Sequence, residues 1–181
     1  GLIYKDKIGD IRNAMINFQK SYEADDTFLP NLKIVREVFI QKENWDFVLN
    51  IIDTEIQYIT DINERNHLFS LKAEILSVYK NDFNTSEEIL LKLFETNKES
   101  FFVLRKLKAY YFNQKKYKKY FAIAQETLKL KISNEYRQAV LIDLITLIYQ
   151  KKVFDSNITS YVKELFKLEN SFALNLQELN W

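Results

Sequence analysis

Apolar residues fall at every third or fourth position in short blocks, and Asn/Asp/Lys/Ser-rich breaks separate the blocks. That period puts each block's apolar side chains on one face of a helix, and the blocks come in pairs. Ile11, Ala14, Met15 and Phe18 form the first stripe, with Asp10 placed to cap it, and the second holds Leu32, Val35, Val38 and Phe39 behind Pro30. Trp45, Val48, Leu49, Ile52 and Ile56 follow, then Leu68, Phe69, Ala73, Leu76 and Tyr79. Phe83, Ile89, Leu90 and Leu93 share a helix, as do Phe101, Leu104, Leu107 and Tyr111. The closing stripes are Tyr117 to Leu128, Tyr136 to Ile148 and Phe154 to Leu165, with Phe172, Leu174, Leu176 and Trp181 as a short cap. Eleven helical stretches are expected, the first and last atypical.

Pairs aligned on the large residue that opens each second helix begin at Ile11, Trp45, Phe83, Tyr117 and Phe154, at spacings of 34, 38, 34 and 37. A two-helix unit of 34 residues has the length of a tetratricopeptide repeat, and the chain resembles that family over nearly its whole length. Gly9-Asp10, Ala14, Phe18 and Ser21 stand where the family has its turn glycine, packing alanine, aromatic and second small residue. Val48, Ser86, Tyr120 and Asn157 take the alanine's place in later units, the turn glycine is absent after the first, and insertions of 4 and 3 residues break the period. HEAT-like or other irregular solenoids, and a closed bundle, fit the same helices. The resemblance implies an all-α fold, a right-handed α-α superhelix (solenoid) of antiparallel helix pairs. It implies one domain over 1–181: a half-unit at 1–27, units at about 28–62, 63–98, 99–132 and 133–169, and a cap at 170–181. A chain that starts inside a repeat reads as part of a larger protein.

Composition supports helices and removes chemistry. Only 2 Gly and 1 Pro occur in 181 residues, too few to punctuate a β fold. With no Cys and a single His, thiol nucleophiles, disulfides and His-based metal clusters are excluded. Glycines at positions 1 and 9 alone cannot form a phosphate-cradling loop. Asp25/Asp26 and Glu87/Glu88 are sequence neighbours, which diverge on a helix. No catalytic, cofactor or metal residue is assigned, and the chain is expected not to be an enzyme. A net charge of +1 gives no global steering field, and no apolar run approaches the roughly 20 residues that span a bilayer. The Lys/Ile/Asn/Phe/Tyr richness suits a bacterial source, with cytoplasm and periplasm both open as compartments.

The function expected is a protein-interaction scaffold. In the family the resemblance points to, the first helix of each pair lines a groove for peptides or partner helices. The corresponding positions are Lys33, Glu37, His67, Ser70, Glu74, Arg105, Thr146 and Tyr149. Lys33 matches the lysine of the family's carboxylate clamp, but Glu37 stands where its asparagine belongs, so binding of that kind is not expected. The alternative is a basic, aromatic patch of Arg105, Lys106, Lys108, Lys115, Lys116, Lys118 and Lys119 among Tyr110, Tyr111, Tyr117 and Tyr120, suited to nucleic acid or an acidic partner. The same tyrosines also fit the repeat's core spacing. An exposed helical face can also pair with its own copy.

Overall fold

The computed structural model describes residues 11–25, 27–153 and 155–178, without the side chains of Ile11, Ala14, Met15 and residues 169–178. The expectations placed on Gly9, Asp10, Asp26, Phe154, Trp181 and those side chains lie outside this description. Among the described residues there are nine helices and no strand. They are α1 (Ile11–Ala24), α2 (Leu29–Gln41), α3 (Trp45–Tyr58), α4 (Ile62–Val78), α5 (Phe83–Thr96), α6 (Phe101–Asn113), α7 (Tyr117–Leu128), α8 (Asn134–Lys151) and α9 (Ile158–Glu178). Three of the five expected opening residues, Trp45, Phe83 and Tyr117, begin a helix, and Ile11 lies in α1. Helix α9 runs unbroken through 170, where the C-terminal cap is expected to begin.

The two insertions have a simple location. Helices α2 and α6 have 13 residues each, whereas α4 has 17 and α8 has 18. Each insertion therefore adds about one 3.6-residue turn, which returns the buried stripe to the same side.

The missing turn glycines leave a clear mark. Glu43, Asn81, Lys115 and Lys152 adopt the left-handed conformation, at φ between 53° and 55°. Each stands two residues before an aligned opening residue, the place Gly9 holds in the first unit. The chain reverses there with the hydrogen bonds of a helix C-terminal cap: Asn44 N–H to Phe39 O at 3.1 Å and Lys116 N–H to Tyr111 O at 2.9 Å. After the two longer helices the closing bond reaches one residue further back, Asp82 to Leu76 and Val153 to Leu147.

The chain forms two compact units, residues 1–93 and 94–181. In the first, successive helices pack on one another, and Phe18, Leu32, Val35, Val38 and Ile51 form one core cluster. Val48, Ile52, Ile59, Leu68 and Ile75 form a second. Positions aligned in the sequence also share their burial. Phe18, Ile52, Leu90, Ala124 and Tyr161 occupy one column of the alignment, and all are buried. Val48, Ser86 and Tyr120, in the packing-alanine column, are buried too, while Asn157 is exposed in the link before α9. Ser86 solves its burial by donating its hydroxyl to Ala73 O at 2.7 Å. The column of Ser21 places Glu55 in the core, fully buried, where Arg36 of α2 meets it through Nε at 2.6 Å and Nη2 at 3.4 Å. Burial pushes the Glu55 carboxyl above its ordinary range, against the pull of Arg36.

In the second unit Leu104, Leu107, Ala124, Leu141 and Leu144 are fully buried. Here helices contact both the next and the next but one. Phe121 of α7 meets Tyr161 of α9, and Gln125 donates to Tyr161 Oη at 2.8 Å. Arg137, in the first turn of α8, bonds Glu164 of α9 through Nε and caps Leu128 O at the end of α7 through Nη2 at 2.8 Å. Arg65 plays the same capping part in the first unit, reaching Ile59 O beyond the end of α3. Arg137→Ala is expected to lower stability by about 1–2 kcal/mol, since a half-buried charged hydrogen bond and a helix cap go together. Chemical denaturation would measure it, and a loss no larger than that of the exposed Lys129→Ala would refute the capping role.

Candidate interaction surface

Helices α6 and α8 form a parallel pair. Phe101 meets Tyr136 edge-on at 4.8 Å between ring centres, and Lys108 Nζ meets Asp143 Oδ2 at 3.5 Å. The two contacts lie seven residues apart on each helix and in the same order, which only parallel helices allow. Between these contacts the seam is polar and aromatic. Lys108 is buried, with its ammonium 5.3 Å from the Tyr120 ring centre and 5.6 Å from that of Tyr136, and Tyr120 donates its hydroxyl to Asp143. Burial lowers the Lys108 pKa while Asp143 opposes the shift, and burial raises those of Tyr120 and Tyr136.

Beside this seam, at 3.6 residues per turn, Phe101, Arg105, Ala109 and Phe112 form the exposed stripe of α6. Ala139, Ile142 and Tyr149 form that of α8, with the half-buried Thr146 between them. Measured from their shared seam, the stripes rotate in opposite senses, so they lie on the same side of the pair. Ile142 is 51% exposed and Tyr149 72%. At the N-terminal end of this face an open cavity of about 510 Å³ is lined by Glu99, Phe101, Ile132, Ser133 and Tyr136 among others.

The structure thus puts Arg105, Thr146 and Tyr149 on one surface of the second unit. In the first unit Lys33 pairs with Glu64 across α2 and α4, and Glu37, His67 and Glu74 are exposed. Ser70 is misplaced by sequence reasoning: it is buried in α4, and its hydroxyl has no hydrogen-bond partner. The resemblance assigns it to the groove, whereas the helical register turns it inward.

The basic patch also changes. Lys108 leaves it for the seam. Lys106 lies 6.0 Å from the Phe102 ring centre, Lys116 5.5 Å from that of Tyr110 and Lys119 5.6 Å from that of Tyr111, so the lysines cover aromatic rings. Tyr110 and Tyr111 are themselves buried. Arg105, Lys115 and Lys118 are exposed. Two residues were missed: Lys151, 5.1 Å above the Tyr117 ring, and its exposed neighbour Lys152, which the fold brings to the patch from 35 residues away. The net charge concealed a further feature. The first unit holds 11 basic and 16 acidic residues, the second 15 basic and 9 acidic.

Among the described residues no three of His, Asp and Glu gather as metal ligands would, and no helix is long and apolar enough to cross a membrane. The chain matches no protein-family model and no curated protein.

Proposed function

We propose that the chain is a tetratricopeptide-like helical-repeat scaffold, a right-handed α-α superhelix without enzymatic activity, that holds a segment of a partner protein on its first-helix face. The observation carrying this reading is the α6/α8 surface, where two parallel helices turn Ile142, Tyr149, Phe101 and Phe112 to solvent on one side. The left-handed turns at the position of the repeat's glycine, and the contacts of α6 with α8 and of α7 with α9 in the second unit, support the superhelix. An amphipathic helix or extended strand fits such a face through apolar anchors and a polar rim. Nucleic acid is the weaker reading, because the tyrosines that would stack on bases are buried or covered by lysines.

The test is affinity capture from the source cells with the wild type beside an Ile142→Glu, Tyr149→Glu variant, folding being checked by circular dichroism. A partner held by the wild type and lost by the variant is the expected result. Equal recovery of the same partners by both would sink the groove reading.

A further inference from the structure

The α6 and α8 helices end on the same side of the second unit, because they are parallel. Their ends carry Lys115 and Lys116 after α6 and Lys151 and Lys152 at the end of α8, and the first turn of α7 adds Lys118 and Lys119. The stacking of Lys151 on Tyr117 ties the two sets together. Six ammonium groups therefore crowd one end of the second unit, and they account for its whole excess of 15 basic over 9 acidic residues. The acids near them are engaged: Asp155 accepts from Gln125 at 2.8 Å and from Tyr161 at 3.0 Å, and Asp143 from Lys108 and Tyr120. Phe112, 55% exposed, stands in the last turn of α6 beside this cluster.

We propose that this lysine-rich end of the second unit docks on an anionic lipid bilayer, with Phe112 seated at headgroup depth. Three features favour a bilayer over a nucleic acid. All six cations are lysines, compact point charges suited to a diffuse anionic surface, rather than arginine forks matched to individual phosphates. The rings available for base stacking are occupied, since Tyr110, Tyr111 and Tyr117 each carry a lysine on one face. The exposed ring, Phe112, is apolar throughout and touches Tyr117 and Tyr120 on its inner side, leaving an outer edge for an apolar environment. The docking is peripheral. It shares Phe112 with the exposed face of α6 and α8, but its six lysines are distinct from the groove anchors Ile142 and Tyr149, so the lysine variant tests it apart from the groove.

Flotation of the full chain tests it, with vesicles of phosphatidylcholine alone, vesicles of phosphatidylcholine and phosphatidylserine in equal parts, and a single-stranded oligothymidylate. The wild type is expected to float with the phosphatidylserine vesicles only, and to be released as salt rises. The variant Lys115→Gly, Lys118→Gln, Lys152→Gly should bind about a hundredfold more weakly, at about fivefold per lysine. It is chosen because its two glycines fall where the backbone is left-handed, so loss of binding would not be loss of fold. Phe112→Ala should weaken binding, while Lys129→Gln, Lys131→Gln at the other end of α7 should leave it unchanged. The proposal is overturned if anionic vesicles are ignored at low salt, if the Lys129/Lys131 variant loses as much, or if the oligonucleotide binds and the vesicles do not.

Discussion

Replacing Arg36 by alanine is expected to cost about 3–5 kcal/mol of stability at neutral pH, the penalty for stranding a buried charge without its partner. Glu55 has no solvent exposure, and the Arg36 guanidinium is the cation in hydrogen-bond reach of both its oxygens. Without Arg36 the carboxylate must either stay charged in an apolar seam or take up a proton. Its pKa is already raised by burial, and removing the opposing attraction raises it further. The sign follows. A carboxyl whose folded pKa exceeds its unfolded value contributes stability below the unfolded pKa and loses it as pH rises through the folded one. The damage of Arg36→Ala should therefore be greatest at neutral pH and shrink as pH falls toward the ordinary carboxylate range. The double variant Arg36→Met, Glu55→Gln should recover most of the loss, since neither charge is then left alone. Urea denaturation of the wild type and these two variants at neutral and mildly acidic pH would decide it. Equal damage at both pH values, or no recovery in the double variant, would mean that the pair does not hold the α2–α3 seam as described.

How such a pair arises explains what the sequence could and could not reveal. Periodicity alone located Trp45, Phe83 and Tyr117 as helix starts, because helix burial repeats every three to four residues. It also identified the buried column of Phe18, Ile52 and Leu90. It could not flag Glu55, whose partner lies 19 residues earlier on another helix, and a polar residue on a helix reads as exposed by default. The same limit hid Ser70 and Lys108, both polar and both turned inward. Distance in sequence hid the joining of Lys151 to Tyr117. Residues of the surface were thus legible singly, through the repeat alignment that selected Arg105, Thr146 and Tyr149. Their shared face was not, because it depends on α6 and α8 running parallel across an intervening helix.

The absent turn glycines yield the second large effect, in the stabilising direction. A non-glycine residue in the left-handed region bears a steric cost of roughly 1–2 kcal/mol, because its Cβ crowds the following carbonyl. Glycine removes that clash but gives up about 0.5–1 kcal/mol through its greater freedom in the unfolded chain. Glu43→Gly, Lys115→Gly and Lys152→Gly should each gain the difference, and together about 2 kcal/mol, a rise in Tm on the order of 5 °C for a chain of this size. Asn81→Gly should gain less, because asparagine tolerates the left-handed region through local hydrogen bonding. Glu43→Ala is the decisive control: alanine keeps the Cβ, so it should bring none of the gain if the backbone, rather than the lost charge, is what matters. Thermal melts of the three-glycine variant and the alanine control would settle the point. A three-glycine protein no more stable than the wild type would show that these turns relieve their strain in another way. The expected gain would mean instead that these turns hold a left-handed backbone without the glycine that suits it, each at a cost in stability.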